Sequence, residues 1–302
     1  MREKIDIKKI DQLNQRASKI LEIKDVYLND TFFKSVTKFI EEQDLKPINQ
    51  IIKLLYLSGN EKFPVGKIML NKKNRKIVGF VGTYYSIRTE ENEKLLFCNI
   101  HSWIVVKSFR LYSYYLISDL LNKDISLTAF TPIKSLKGLL LKLGFKRFFV
   151  IEYFIFTLSI FNLGKNKFKI IKNETEIIPK LDKKTKLIFK NYHDDIYQKI
   201  FLKDDLGENI FIIGTKIKKK GFDVFKILYI SNTKTFKLNY NAILNMIGKT
   251  FRVLLISKYS LENEDCAYLK NKFLNFSRPR DLYCRTPHQI QSYDILNSDL
   301  IL

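Results

Sequence analysis

Residues 95–106, LLFCNIHSWIVV, set an asparagine, a histidine and a tryptophan into a run of strand-forming residues. Strict alternation along an extended strand puts Asn99, His101, Trp103 and Val105 on one face. An imidazole titrates near neutrality, so His101 is the candidate general base on that face. A packed, hydrogen-bonded core histidine is the competing reading. A basic, hydroxyl-rich stretch follows at once, KSFRLYSYY over 107–115, and then the apolar-periodic LISDLL. Strand, polar turn and helix is a layout that builds an anion site, because the first amides of a helix lack partners within it. The turn contains no glycine. A plain crossover between strand and helix is the alternative.

Several elements must position these residues. Residues 1–60 read as helical with interruptions, including a segment behind an Asp30 cap (Phe32, Phe33, Val36, Phe39, Ile40) and INQIIKLLYL over 48–57. The period then switches, and residues 67–86 read as two strands joined by a polar turn at Asn71–Asn74. Gly79 and Gly82 in the second strand point to a bulge or a close approach. After the opening segment come a strand at 126–130, a helix at 132–143 closed by Gly144, and strands over 146–161. A polar stretch, 164–184, reads as a linker. Beyond it, strands at 208–216 and 223–230, a helix at 239–250, a strand at 253–257 and a helix at 265–276 repeat the second half of the first region in outline. The expectation is α+β with two domains, 1–163 and 164–302, the second a degenerate relative of the first.

Composition sets the bounds. A chain of 302 residues with 16 tyrosines, 24 phenylalanines and only 6 prolines is a folded protein, not a disordered one. The net charge of +22 invites a nucleic-acid reading, but lysine far outnumbers arginine and is spread along the chain. That favours a solvated basic surface. Cys98, Cys266 and Cys284 have no metal or redox spacing, and YHDD at 192–195 offers too few ligands for a metal site. Reduced thiols and the lack of a secretory signal point to a cytoplasmic protein. The longest apolar run, 148–163, carries Glu152 and is too short for a membrane span, so it reads as strand.

Two motifs in order carry a resemblance. One is the strand, Arg-led turn and leucine-rich helix formed by Val105, Val106, Lys107, Arg110, Leu116, Leu120 and Leu121. The other is LLLKLGF over 139–145. Residues 63–150 resemble the core of the GCN5-related N-acetyltransferase superfamily. The WIVV-to-Arg-to-Ser spacing is closer still to acyltransferase-like proteins encoded with bacterial polysaccharide genes. The resemblance implies a mixed, mostly antiparallel acyl-CoA N-acyltransferase sheet flanked by helices. It implies acetyl-CoA or another acyl-CoA as co-substrate, bound by Val105, Val106, Lys107, Arg110, Leu111, Tyr112, Ser113, Tyr114 and Tyr115. Backbone amides are expected to hold the pyrophosphate, with the amide of Val106 or a neighbour on the thioester carbonyl. The family's acid is a tyrosine four residues before the Gly of Leu-Gly-Phe. Leu140 stands there, which leaves Tyr84, Tyr85 and Tyr112 as substitutes.

The acceptor implied is a small amine, such as an amino sugar. Arg278, Arg280 and Arg285, three of the ten arginines, concentrate in the loop-like SRPRDLYCRTPH and are candidates for binding a nucleotide-linked form of it. Pairing with acidic groups, Asp281 included, is the plainer role. Two other functions fit: a tandem-fold aminoacyltransferase that uses tRNA, and a non-catalytic binding protein of the same fold.

Overall fold

The computed structural model describes residues 7–43, 48–58, 62–90, 93–130, 132–157, 168–171, 174–191, 197–205, 207–219, 221–261 and 276–287. The chain divides into two compact units. Unit 1 runs from the N-terminal part to Phe148 and is completed by residues from Asp281 onward; unit 2 lies within Phe149–Arg280. The expected boundary at 163/164, the helix at 265–276 and the YHDD stretch all fall outside the described residues.

Unit 1 runs α1 (Ile7–Ile20), β1 (Leu21–Val26), α2 (Thr31–Glu42), α3 (Ile48–Ser58), β2 (Gly66–Asn71), β3 (Ile77–Glu90) and β4 (Glu93–Val105). A 3-10 helix (Lys107–Ile117), α4 (Ser118–Leu121), β5 (Ser126–Ala129), α5 (Lys134–Lys142) and the start of β6 (Lys146–Phe156) follow. The strands lie in the order β1-β2-β3-β4-β5, antiparallel except for the parallel pair β4–β5. Asp30 caps α2 by accepting the Phe32 N–H at 3.0 Å, as its position before the apolar stripe predicts. Phe33, Val36, Phe39 and Ile40 of α2 and Ile51 and Leu55 of α3 cover one sheet face, against Val26, Ile68, Phe80 and Ile104. Ala17, the 3-10 helix, Leu120 and Leu140 cover the other, against Met69, Val81, Cys98, Ile100 and Leu127. β1 is a correction to the helical reading of residues 1–60. LEIKDV carries three charges, as an edge strand does, and so lacks a clear alternating signal.

Unit 2 contains the rest of β6, β7 (Phe168–Ile171), α6 (Glu174–Ile177), α7 (Lys183–Asn191), β8 (Gln198–Asp204), β9 (Asn209–Lys219), β10 (Phe222–Ile230), α8 (Thr233–Phe251), β11 (Leu255–Leu261) and the start of β12 (Phe276–Arg285). Its strands run β7-β8-β9-β10-β11, again antiparallel but for one parallel pair, β10–β11. α8 begins six residues before its expected start. Asn232 accepts the Thr235 N–H there, and Asn239 adopts a non-helical φ of −119° inside the helix, which hides the true start from the sequence pattern.

Each unit closes with a strand from far along the chain. In unit 1 Tyr283, Cys284 and Arg285 of β12 pair antiparallel with Ala129, Thr128 and Leu127 of β5. In unit 2 β6 pairs antiparallel with β11 from Leu255↔Phe156 to Leu261↔Val150. The stretch 277–285 is therefore strand, not the expected loop. Pro279 falls among residues that a strand reading discounts, which is why it was missed.

Candidate functional site

The parallel pairing of β4 with β5 covers only Phe97↔Ser126, Cys98↔Leu127 and Asn99↔Thr128. β5 ends at Ala129, yet β4 continues to Val105. From Ile100 on, β4 keeps β3 on one edge and has no β5 partner on the other. An edge of this kind presents unpaired main-chain groups to any extended chain laid along it.

A bulge sits in the middle of that edge. Phe80 pairs with Ile104 but Gly82 pairs with His101, so Ser102 and Trp103 together oppose Val81. Ser102 takes a left-handed φ of +48° to make the extra residue fit, a conformation that a residue with a Cβ adopts at a cost of about 1 kcal/mol. The inserted residue breaks the expected single face. Trp103 and Val105 pack with Cys98 and Ile100, whereas Ile104 packs with Phe80 on the opposite side. His101 and Asn99 stay on the face of Phe80.

The amide of Val106 is not free for a carbonyl, because it donates to Val78 O at 2.9 Å. Alternation along the strand turns the N–H of Val105 to the other, open edge. The donor expected at Val106 or a neighbour is thus Val105.

Residues 107–117 form neither an open turn nor an α-helix, but an eleven-residue 3-10 helix, followed by the four residues of α4. Three residues per turn stack positions three apart. Val106, Phe109, Tyr112 and Tyr115 make one such stripe, and all pack on the core. The Tyr115 ring therefore faces inward, and burial raises its hydroxyl pKa. Lys107, Arg110 and Ser113 make a second stripe, with both cations exposed and neither in an ion pair among the described residues. Leu111 is exposed and Tyr114 buried. The exposed Lys107–Arg110–Ser113 stripe adds side-chain donors beside the first amides of the 3-10 helix, which like those of any helix start lack partners within it. A period-three aromatic pattern was the available signal.

His101 is buried, with its ring laid over Gly82; a Cβ on that glycine would come within 2.1 Å of Cε1. Nδ1 lies 3.0 Å from Ser102 Oγ, and Nε2 has no partner among the described residues. Burial pushes the pKa down to about 3. Burial disfavours the imidazolium that a general base must become, which weighs against His101 in that role and for the packed core histidine. The buried N–H of Trp103 is likewise unpartnered. An orphaned buried polar atom costs about 1–3 kcal/mol, and here two flank one bulge.

Of the three candidate tyrosines, Tyr112 packs on the core, and Tyr84 and Tyr85 fall on opposite faces of β3. Tyr84 lies on the His101 face, opposite Asn99, and burial raises its pKa. Tyr85 points to the other face, stacks on Phe63 with centroids 4.7 Å apart, and is driven far above its ordinary pKa by burial and then by Cys98. Close to it lies a group the sequence did not suggest. Lys67, 2 % exposed, donates to Asp25 at 2.5 Å and to Asp119 at 2.6 Å. It ties α4, and with it the end of the 3-10 helix, to β1 and β2. The three residues are far apart in sequence, so no local pattern reveals them.

The remaining candidates are structural where they are described. Leu140 is buried in the core. Arg285 donates to Leu121 O at 2.6 Å at the end of α4, which accounts for it without a ligand. Asp281 pairs with Lys137 and Arg147, which hold its carboxyl below the ordinary range. The side chains of Arg278 and Arg280 lie outside the description. Among the lysines of β9, Lys216 pairs with Asp223 and Lys219 with the buried Glu152. Among the described residues no helix is long and apolar enough to cross a membrane, and no three His, Cys, Asp or Glu side chains cluster as metal ligands.

No family model matches the chain, and no curated protein matches it. Solved structures do. A GCN5-related N-acetyltransferase from Anabaena variabilis ATCC 29413 is 11 % identical with a TM-score of 0.57, over 88 % of this chain and 72 % of that one. Saccharomyces cerevisiae N-myristoyltransferase with bound myristoyl-CoA is 10 % identical with a TM-score of 0.50, over 87 % and 82 %. A GCN5-related glucosamine N-acetyltransferase region of a fungal multi-domain GH3 β-N-acetylglucosaminidase is 14 % identical with a TM-score of 0.54, over 88 % and 38 %. The chain has the acyl-CoA N-acyltransferase fold, a mixed sheet flanked by helices.

Proposed function

We propose that the chain is an acyl-CoA-dependent N-acyltransferase whose donor site is the open edge of β4 in unit 1, and that unit 2 is a degenerate copy of the same fold. The early end of β4–β5 pairing, three residues long against a strand that continues to Val105, is the observation that carries this reading. Lys107, Arg110 and Ser113 take the CoA phosphates at the end of the edge. An arm anchored there and laid back along β4 meets the Val105 N–H and brings its thioester toward the bulge at Ser102.

The acceptor amine arrives neutral and attacks the thioester carbonyl, forming the new C–N bond. Collapse of the tetrahedral species breaks the C–S bond and expels the thiolate. His101 does not take the ammonium proton; water does. Tyr84, kept protonated by burial, is the acid on that face, and its raised pKa makes it a weak one. The acceptor belongs to the small amines, an amino sugar of the kind named for the fungal relative or one bound for a surface polysaccharide. Acetyl-CoA is the simplest donor, and a cytoplasmic site supplies it.

A second reading, an acyl-CoA-binding protein without turnover, is favoured by Leu140 at the family's acid position and by the weak basicity of His101. Calorimetric titration with acetyl-CoA and longer acyl-CoAs, followed by CoA-release assays with glucosamine, separates the two. Binding with release supports transfer, binding alone supports the second reading, and no binding removes both.

A further inference from the structure

Unit 1 holds a second group of polar side chains, on the sheet face that carries α2 and α3. Tyr84 of β3, Asn99 of β4 and Thr128 of β5 stand directly opposite one another in register, and His101 follows two residues along β4. Asn99, His101 and Thr128 are each more than nine-tenths buried. Thr128 Oγ1 donates to Asn99 Oδ1 at 3.1 Å, and His101 Nε2 is left open. No carboxylate, lysine or arginine belongs to the row.

The fold does not need a nitrogen at His101. Unit 2 also lays a flat ring over a glycine of the preceding strand, there on the α8 face and diagonally across the ladder, since Gly214 itself pairs with Ile227. There the ring is Phe225, and a Cβ on Gly214 would come within 2.2 Å of it. A phenyl ring meets the packing requirement with no polar atom to satisfy. The imidazole in unit 1 covers its glycine as a phenyl ring would and adds a nitrogen unpartnered among the described residues, beside three uncharged polar neighbours at the end of the donor edge where the thioester falls.

We propose that His101, Tyr84, Asn99 and Thr128 form the acceptor subsite, in which His101 Nε2 hydrogen-bonds a hydroxyl or amide group of an uncharged, hydroxyl-rich acceptor. This rests on the donor reading above. The row selects by hydrogen bonds alone, because burying a phosphate or carboxylate against it would leave that charge unpaired. His101 here positions the acceptor and moves no proton.

The chain contains three histidines, so the ring nitrogens of the whole protein labelled at histidine are resolvable by NMR, and loss of one set in His101→Phe assigns them. N-acetylglucosamine, uncharged and rich in hydroxyl and amide groups, is titrated into free and CoA-bound protein, with glucosamine 6-phosphate as the charged comparison. The His101 Nε2 resonance is expected to move with the uncharged sugar, whose affinity falls about ten-fold or more in His101→Phe as one hydrogen bond is lost. CoA affinity stays within about two-fold, as for an independent site. A resonance that stays fixed at the highest soluble sugar concentration overturns the proposal. So does unchanged sugar affinity in His101→Phe, or tighter binding of the phosphorylated sugar. If CoA itself does not bind, the donor reading fails, and the titration of free protein still decides the subsite. Should His101→Phe not fold, Gly82→Ala, which dislodges the ring without removing it, takes its place.

Discussion

Unit 1 and unit 2 share a strand order, a single parallel pair and a bulge on the equivalent strand, and they differ in how they finish each feature. In unit 2 parallel pairing ends at Ile227↔Lys258, the bulge at Leu228 follows the apolar Ile227, and the ring over Gly214 is Phe225 on the α8 face, buried and stacked on Phe251 with centroids 4.5 Å apart. The helix that follows is nineteen residues long, capped by Asn232, and Thr235 at its start donates to the Glu208 carboxylate at 3.1 Å. That carboxylate sets a negative charge against the first turn of the helix, which disfavours a second anion there. Unit 1 leaves the same places open. Its ring is a histidine with a free nitrogen, its helix is a 3-10 segment with an exposed Lys107–Arg110 stripe, and its short α4 relies on Lys67. Both units leave buried polar atoms unpartnered among the described residues, Asn209 Oδ1 and Ser257 Oγ in unit 2, His101 Nε2 and Trp103 Nε1 in unit 1, where the two flank the bulge.

The largest expected effect comes from the clamp that unit 2 does not need. Lys67→Ala leaves Asp25 and Asp119 without their cation and destabilises the protein by about 3–5 kcal/mol, measured by urea unfolding. Loss within about 0.5 kcal/mol would show that α4 holds without it. Next, Gly82→Ala and Gly214→Ala each drive a methyl into a seated ring and cost about 1–3 kcal/mol. Equal stability losses with a sugar-binding loss only for Gly82→Ala would sharpen the contrast between the units.

The third effect is on pH. In the unfolded chain His101 binds a proton below its ordinary value of about 6.5, whereas in the fold it does so only near 3. Acid therefore favours the unfolded state. Stability is full above about 6.5 and falls by about 1.4 kcal/mol per pH unit below it, from this one group. Unfolding at pH 7, 6 and 5 checks the slope, and His101→Phe removes it. The smallest effect is a gain. His101→Phe keeps a flat ring over Gly82 and raises stability by up to about 1 kcal/mol through loss of an orphaned nitrogen; a loss of stability instead would mean the imidazole is satisfied in unit 1.

Much of this architecture was legible in the sequence. The Asp30 cap, the strand at 126–129 and the helix closed by Gly144, with φ of +84°, follow from local rules. So does the resemblance carried by Val105–Arg110 and LLLKLGF. What escaped depends on distant or atypical partners. Gly82 points to a bulge or close approach at this place, but nothing local shows that the extra residue is Ser102 on the facing strand, so simple alternation puts Trp103 on the wrong face. The 3-10 helix replaced an expected turn because stacking of Phe109, Tyr112 and Tyr115 at period three outweighed the α-helical pattern. Lys67 and its two carboxylates, and the return of β12 to β5, are long-range pairings with no local trace.

The central claim is one acyl-CoA site per chain, on the open edge of unit 1. Isothermal titration of acetyl-CoA into wild-type protein and into Lys107→Ala/Arg110→Ala tests it most directly. The account predicts a stoichiometry near one, and a loss of about ten- to a hundred-fold in affinity for the double variant at unchanged stability. Binding that survives the double substitution intact, or no binding by the wild type, would contradict it.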